Sequence, residues 1–307
     1  MFTGCGTALV TPFQSDGSLD EAVLRVLVRR QIDAGIDFLC PCGTTGESPT
    51  LSHREHLRVA EITVEEAGGR VPVVAGAGGY DTSEVIRVIR ELQSLRVSGI
   101  LSVTPYYNRP TQEGLYRHYR ALAESTSLPI LIYSVQGRTG VNVEPSTVAR
   151  LAGISNIVGI KEASGSVSQM ASILASVPDS FSVIAGDDVL ALPLIALGGR
   201  GVISVISNEI PAEFASLVRA ALTGNFQRAR ELQRKYQALM EVNFIESSPG
   251  PVKFAMARLG LLAPVLRLPM VLPAEAAQKK IESVLEAVGL LEAAGAVRGA
   301  VSMGVRV

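Results

Sequence analysis

Short apolar runs and longer amphipathic stretches alternate along almost the whole chain. The runs cover residues 5–13, 37–43, 71–78, 99–106, 129–135, 157–164, 181–188 and 201–207. They are rich in Val, Ile, Leu and Ala and are bounded by Gly, Pro or polar residues, so each predicts a buried strand. The stretches between them repeat apolar residues at helical spacing. Ser18-Leu-Asp-Glu21 and Ser52-His-Arg-Glu55 have the form of capping boxes, and Asp81-Thr-Ser-Glu84 opens a third helix. Further helices are predicted over 112–125, 145–152, 167–175, 189–197 and 211–222.

Eight strands alternating with eight helices predict an α/β protein of the (β/α)8 TIM barrel class. An open doubly wound sheet would carry a Gly-rich turn after its first strand, and Thr11-Pro12-Phe13 stands there instead. The barrel catalytic domain is predicted over 1–222. Helices at 225–243, 251–259 and 273–291 then form a C-terminal helical domain over 223–292, packed on the barrel side. Residues 293–307 are small and apolar without a clear period, which predicts a poorly ordered tail.

The sixth run, Ile157-Val-Gly-Ile-Lys-Glu-Ala-Ser164, places a lysine inside an apolar strand. Desolvation disfavours an ammonium there, so Lys161 needs compensation. Either it snorkels to water or pairs with Glu162, or it is an amine that attacks a carbonyl and forms a Schiff base. The ends of the other strands bear on that choice, because barrel chemistry sits at the C-terminal ends. Gly43-Thr44-Thr45-Gly46-Glu47 follows the second strand, where amides and hydroxyls can hold a carboxylate. Thr104-Pro-Tyr-Tyr107 ends the fourth strand and Tyr133 the fifth. Tyr133 and Lys161 stand on neighbouring strands and point into one cavity, with Gly159 leaving space beneath the lysine. Tyr133, Thr44 and Tyr107 supply hydroxyls for proton transfer, and Arg138 a fork for a substrate carboxylate. That set suits a 2-oxo acid condensing through an enamine.

Composition narrows the function classes. Of 307 residues 47% are hydrophobic and only 5% aromatic, as suits strands covered on both faces. The net charge of −1, with Lys and Arg scattered, predicts neither a nucleic-acid nor an anionic-membrane surface. No apolar run approaches membrane-spanning length and no N-terminal targeting pattern stands out, so a soluble cytoplasmic protein is expected. Cys5, Cys40 and Cys42 are too few for a disulfide framework. His53 and His56 lack a third ligand for a metal.

Taken in order, Gly43-Thr-Thr-Gly-Glu47, Thr104-Pro-Tyr-Tyr-Asn108, Gly137-Arg-Thr-Gly140, Gly159-Ile-Lys-Glu162 and Gly201-Val-Ile-Ser204 resemble the dihydrodipicolinate synthase family of pyruvate-dependent class I aldolases, from about Met1 to Leu291. The resemblance implies that Lys161 forms a Schiff base with pyruvate and that Thr45 holds its carboxylate. It implies a proton relay of Tyr133, Thr44 and Tyr107, with Tyr107 reaching in from a neighbouring subunit. Arg138 would bind the carboxylate of aspartate 4-semialdehyde, and Gly186 and Ile203 would also contact substrate. No metal or organic cofactor is implied, and the family is usually a homotetramer. In lysine-inhibited members the effector site matches Ser48, His53, His56, Glu84 and Tyr106, and Tyr80 stands where those members have an asparagine. Two segments depart from the family pattern. Ser134-Val135-Gln136 replaces Asn-x-Pro before the arginine, and Ser248-Pro-Gly-Pro-Val-Lys253 replaces Asn-Pro-x-Pro-Val-Lys. A sugar-acid or N-acetylneuraminate lyase lacks the counterpart of Arg138, and a barrel that only binds 2-oxo acids needs no nucleophile. Both remain as alternatives.

Overall fold

A computed structural model describes residues 2–291. Eight parallel strands form the ring: β1 (Gly4–Ala8), β2 (Phe38–Cys40), β3 (Val74–Gly76), β4 (Gly99–Val103), β5 (Ile130–Ser134), β6 (Ile157–Glu162), β7 (Ser182–Ala185) and β8 (Gly201–Ser204). Their order is β2-β1-β8-β7-β6-β5-β4-β3, and a parallel bridge between Leu39 and Val73 joins the two ends. The sheet is therefore closed, as the alternation of elements predicts.

The period-two pattern within each strand separates two apolar layers. On β5, Leu131 and Tyr133 face the barrel interior with Ala8, Phe38, Leu101, Ile184 and Ile203. Ile130 and Ile132 face outward into the helix layer. Burying each such aliphatic side chain contributes roughly 1.5–3 kcal/mol. The ring of Phe2 lies 5.9 Å from that of Phe38 within the interior cluster.

Around the ring lie α1 (Glu21–Asp33), α2 (His53–Ala67), α3 (Thr82–Ser94), α4 (Gln112–Glu124), α5 (Gln136–Thr139), α6 (Pro145–Leu151), α7 (Val167–Leu174), α8 (Ala191–Ala196) and α9 (Pro211–Leu222). The Ser52 box forms in full: its hydroxyl accepts from Glu55 N–H, and the Glu55 carboxylate accepts from Ser52 N–H at 2.8 Å. The expected box at Ser18 does not form. Asp20 caps α1 by accepting from Val23 N–H at 3.0 Å, and the Ser18 hydroxyl bonds Asp16 at 2.6 Å. A carboxylate directly before the first turn satisfies the free amides better than a hydroxyl two residues further out.

The helices after α9 are α10 (Phe226–Val242), α11 (Gly250–Arg258) and α12 (Glu275–Ala287). α10 packs on α8 and α9, as a side-packed appendage would. α11 instead crosses to the end of β8, where Val252 and Met256 join Val10, Leu27 and Val205 in one buried cluster. The tail predicted over 293–307 lies outside the described residues.

Candidate active site

Lys161 lies on β6 with Tyr133 of β5 directly beside it in register and Ile184 of β7 on its other side. It is 5% exposed, and its Nζ sits 4.2 Å from the centroid of the Tyr133 ring. Glu162 is not its partner. That side chain points to the other face of the strand, where it accepts from Ser164 N–H at 3.1 Å and Gln169 Nε2 at 2.8 Å. Burial holds the Glu162 carboxyl above its ordinary range. Among the described residues Lys161 has no ion-pair partner, so the π face of Tyr133 is its nearest electrostatic support.

Room beside the lysine comes from a different glycine than expected. A Cβ on Gly159 would stand 2.3 Å from the Ser182 carbonyl oxygen and 2.8 Å from Leu131 Cδ2, so that space is already filled. A Cβ on Gly186 would stand 2.6 Å from Ala163 Cβ and 3.1 Å from Lys161 Cε. The missing side chain at Gly186, after β7, leaves the lysine its place.

A cavity of about 310 Å³ opens at the C-terminal end of the barrel, with Thr44, Tyr133, Arg138, Ser48, His56 and Tyr106 in its wall. Lys161 is not part of that wall; it meets the cavity at Tyr133, which touches both. Thr45 is buried in the turn behind Thr44, and Ile203 is buried in the barrel interior with Tyr133. Arg138 rides on α5, a single turn closed by Gly140 at φ 72°. Its Nη2 donates to the Ser248 carbonyl at 3.1 Å, and the Thr139 hydroxyl donates to the Val135 carbonyl at 3.2 Å. The departure at Ser134 is accommodated too: its buried hydroxyl accepts from Val143 N–H at 3.2 Å.

Tyr107 does not join this cavity. It is 90% exposed at φ 70°, on a tight turn in which Asn108 N–H donates to the Tyr106 carbonyl at 2.8 Å. The Asn108 side chain ties that turn to the Tyr80 carbonyl at 2.9 Å. The backbone thus carries the phenol away from its own barrel.

The expected effector residues divide between two places. A second cavity of about 300 Å³ is lined by His56, Tyr80, Glu84 and Val88 among others, whereas Ser48 and Tyr106 face the first cavity. His56 lines both, and its Nε2 bonds the Gly76 carbonyl at 2.8 Å. Burial lowers the pKa of His56, which favours the neutral imidazole. His53 lies outside the two cavities and pairs with Glu91 at 2.8 Å. Tyr80 is 61% exposed and meets Tyr106 edge-on, with ring centroids 5.6 Å apart. No group of three or more His, Cys, Asp or Glu residues among those described is arranged to hold a metal ion.

Sequence reasoning passed over a second buried amine. Lys253 on α11 is 0% exposed and donates to Glu47 at 2.6 Å and to the Thr11 carbonyl at 2.9 Å. Burial draws its pKa down and the Glu47 carboxylate opposes that. A lysine whose donors are spent inside an ion pair makes a poor nucleophile, which leaves Lys161 as the amine at the cavity. The signal was available: Lys253 sits among Pro251, Val252, Phe254, Ala255 and Met256 in the sequence. Asp188 was likewise unassigned. It accepts from Val205 N–H at 3.1 Å and Ile206 N–H at 2.9 Å, and burial pushes its carboxyl up to about 6.

A (β/α)8 barrel with a primary amine on its sixth strand that is unpaired among the described residues, a tyrosine against it and an arginine beside the cavity has the makings of a Schiff-base-forming lyase. The chain belongs to the dihydrodipicolinate synthetase family, whose model matches residues 1–288. It is 52% identical over 291 residues to the 4-hydroxy-tetrahydrodipicolinate synthase of Syntrophus aciditrophicus, covering 95% of this chain and 100% of that protein. It is 50% identical over 290 residues to the enzyme of the same name from Koribacter versatilis, covering 94% and 97%. Among solved structures it superposes on the chloride-inhibited dihydrodipicolinate synthase of Acinetobacter baumannii complexed with pyruvate. The TM-score there is 0.93 at 39% identity, covering 94% of this chain and 100% of that one.

Proposed function

We propose that this chain condenses pyruvate with L-aspartate 4-semialdehyde to give 4-hydroxy-tetrahydrodipicolinate, a step of diaminopimelate and lysine synthesis. The observation that carries the proposal is Lys161: a buried amine with no ion-pair partner among the described residues, resting on Tyr133, which lines a cavity together with Arg138. Full-length similarity to enzymes of that name supports the same activity.

In the proposed sequence Lys161 Nζ attacks C2 of pyruvate. The carbinolamine loses water to give an imine, with Tyr133 and Thr44 passing protons and Thr45 holding the carboxylate. Loss of a proton from C3 gives the enamine. Its C3 attacks the aldehyde carbon of the semialdehyde, whose carboxylate Arg138 holds. The amino group of that substrate then attacks C2 and displaces Lys161 as the ring closes. One water leaves per turnover, and the lysine is regenerated.

Purified protein is expected to consume pyruvate rapidly with aspartate 4-semialdehyde and not with N-acetylmannosamine or glyceraldehyde. Preference for a sugar aldehyde would keep Lys161 as the nucleophile and move the enzyme to the sugar-acid lyases. Arg138→Leu is expected to raise KM for the semialdehyde by about 10- to 100-fold, the loss of one bidentate charge-assisted contact, while pyruvate adduct formation stays intact.

The exposed Tyr107 fits a hydroxyl delivered to a neighbouring subunit's cavity, which supports an assembly of at least two copies within the proposed homotetramer, and the free buried cysteines suit a cytoplasmic location. No described helix is long and apolar enough to cross a membrane. The second cavity is the proposed lysine-effector site. Tyr80 occupies its edge, so inhibition by lysine is expected to be weak to moderate, and Tyr80→Asn to strengthen it. Unchanged rates at millimolar lysine for both proteins would remove the effector site.

A further inference from the structure

Apart from the cavity, one cluster of charge is buried with no part in the chemistry above. Glu47 is a non-glycine residue in the left-handed region, at φ 52° and ψ 35°. Both of its carboxylate oxygens are used: Oε1 accepts from Lys253 Nζ at 2.6 Å and Oε2 from Arg267 N–H at 3.1 Å. Lys253 Nζ also bonds the Thr11 carbonyl at 2.9 Å, and the Thr11 hydroxyl donates to the Gly46 carbonyl at 2.7 Å. The Arg267 guanidinium holds the Thr50 carbonyl at 2.8 Å and the Glu55 carboxylate at 2.5 Å. The rings of these contacts close over Phe13, with Lys253 Nζ 4.4 Å and Arg267 Cζ 4.3 Å from its centroid. The loop that begins one residue after Thr45 is thus gripped by a cation 206 residues away in the chain.

Taking two ions out of water is an inefficient way to hold a fold together; apolar residues of the same size do as well or better. What the ion pair supplies is direction. It fixes a strained residue at the exit of a turn in which Thr44 lines the cavity and Thr45 is buried directly behind it. The same C-terminal segment reaches the other side of the site, because the Ser248 carbonyl holds Arg138 at 3.1 Å. We propose that the buried Lys253–Glu47 ion pair is a positioning device that sets the Thr44–Thr45 turn for the carboxylate of the 2-oxo acid. This rests on the assignment of those threonines to pyruvate.

The test uses the full chain as unaltered enzyme, Lys253→Met, Glu47→Gln and the double variant. Borohydride trapping against pyruvate concentration gives the half-saturation for the adduct; steady-state kinetics give KM for the semialdehyde, and melting gives stability. The single variants are expected to raise the pyruvate half-saturation by about tenfold, as a small displacement of a binding group does, with the semialdehyde KM changed less than about twofold. The double variant leaves no unpaired buried charge, so its melting temperature is expected to return toward that of the unaltered enzyme while the pyruvate half-saturation stays raised. Recovery of both together would mean that the pair serves stability alone and would overturn the proposal. So would a folded single variant with unshifted pyruvate half-saturation. If Lys253→Met does not fold, the double variant carries the same comparison. Absence of trapping in the unaltered enzyme would overturn the pyruvate assignment together with the brace, whereas trapping without a shift overturns the brace alone.

Discussion

Lys161→Ala is expected to abolish the borohydride-trappable pyruvate adduct and to lower kcat by at least about 10⁴-fold, since the covalent step that holds the reacting carbons together is lost. The effect should be one of chemistry and not of folding. Lys161 makes no ion pair among the described residues, so its removal strands no buried carboxylate. Its amine rests on the Tyr133 ring, and alanine exchanges a desolvated amine for a small void between β5 and β7. The melting temperature is therefore expected to change little. Calorimetry with pyruvate separates the remaining alternative. A barrel that only binds 2-oxo acids would keep its affinity in the variant, whereas an enzyme that captures pyruvate through its imine loses both. Residual trapping in Lys161→Ala would point to Lys253, which the geometry argues against because Glu47 and the Thr11 carbonyl occupy that amine.

Tyr133→Phe is the second large effect. The ring lines the cavity and carries the Lys161 amine at 4.2 Å, so phenylalanine preserves packing and the cation–π contact and removes only the hydroxyl. Loss of a positioned proton donor and acceptor is expected to lower kcat by about 10² to 10⁴. Adduct formation should slow but still reach completion, since the nucleophile is untouched. Single-turnover trapping over time shows this directly. A variant with full kcat would exclude Tyr133 from proton transfer and leave Thr44 and the Tyr107 proposed to come from a neighbouring subunit to account for it. The two substitutions also differ in pattern: Lys161→Ala removes the adduct, and Tyr133→Phe removes the speed of its formation and collapse.

Much of the barrel could be read from the chain because its information is local. Strands buried on both faces appear as unbroken apolar runs, and the helices starting after Ser52, Asp81, Thr111 and Ser166 carry their own side-chain caps, so the strand order follows once eight alternating pairs are counted. Where two local signals competed, the structure chose on grounds the pattern does not hold. Asp20 displaced Ser18 because the helix begins two residues later than the box implies. In sequence Gly159, two residues before the lysine on the same face of its strand, is the glycine expected to leave it space. Only the register of β6 against β7 shows that Leu131 and Ser182 fill one space while Lys161 uses the other.

The sequence by itself determined the alternation that closes the barrel, the strand on which the lysine lies and its pairing with Tyr133. Those facts depend on residue spacing: period two sets the face of Tyr133 within its strand and of Lys161 within the next, and consecutive strands are neighbours. Tertiary structure decided what no spacing encodes. It sent Tyr107 outward through a turn at φ 70°, placed His56 between two cavities, and brought Lys253 and Arg267 back across more than half the chain to close on Glu47. A buried charge must find its partner wherever the fold delivers one, and for Lys253 that partner is 206 residues distant. Apolar burial reads locally because water acts on every residue alike; an ion pair reads only after the chain has folded.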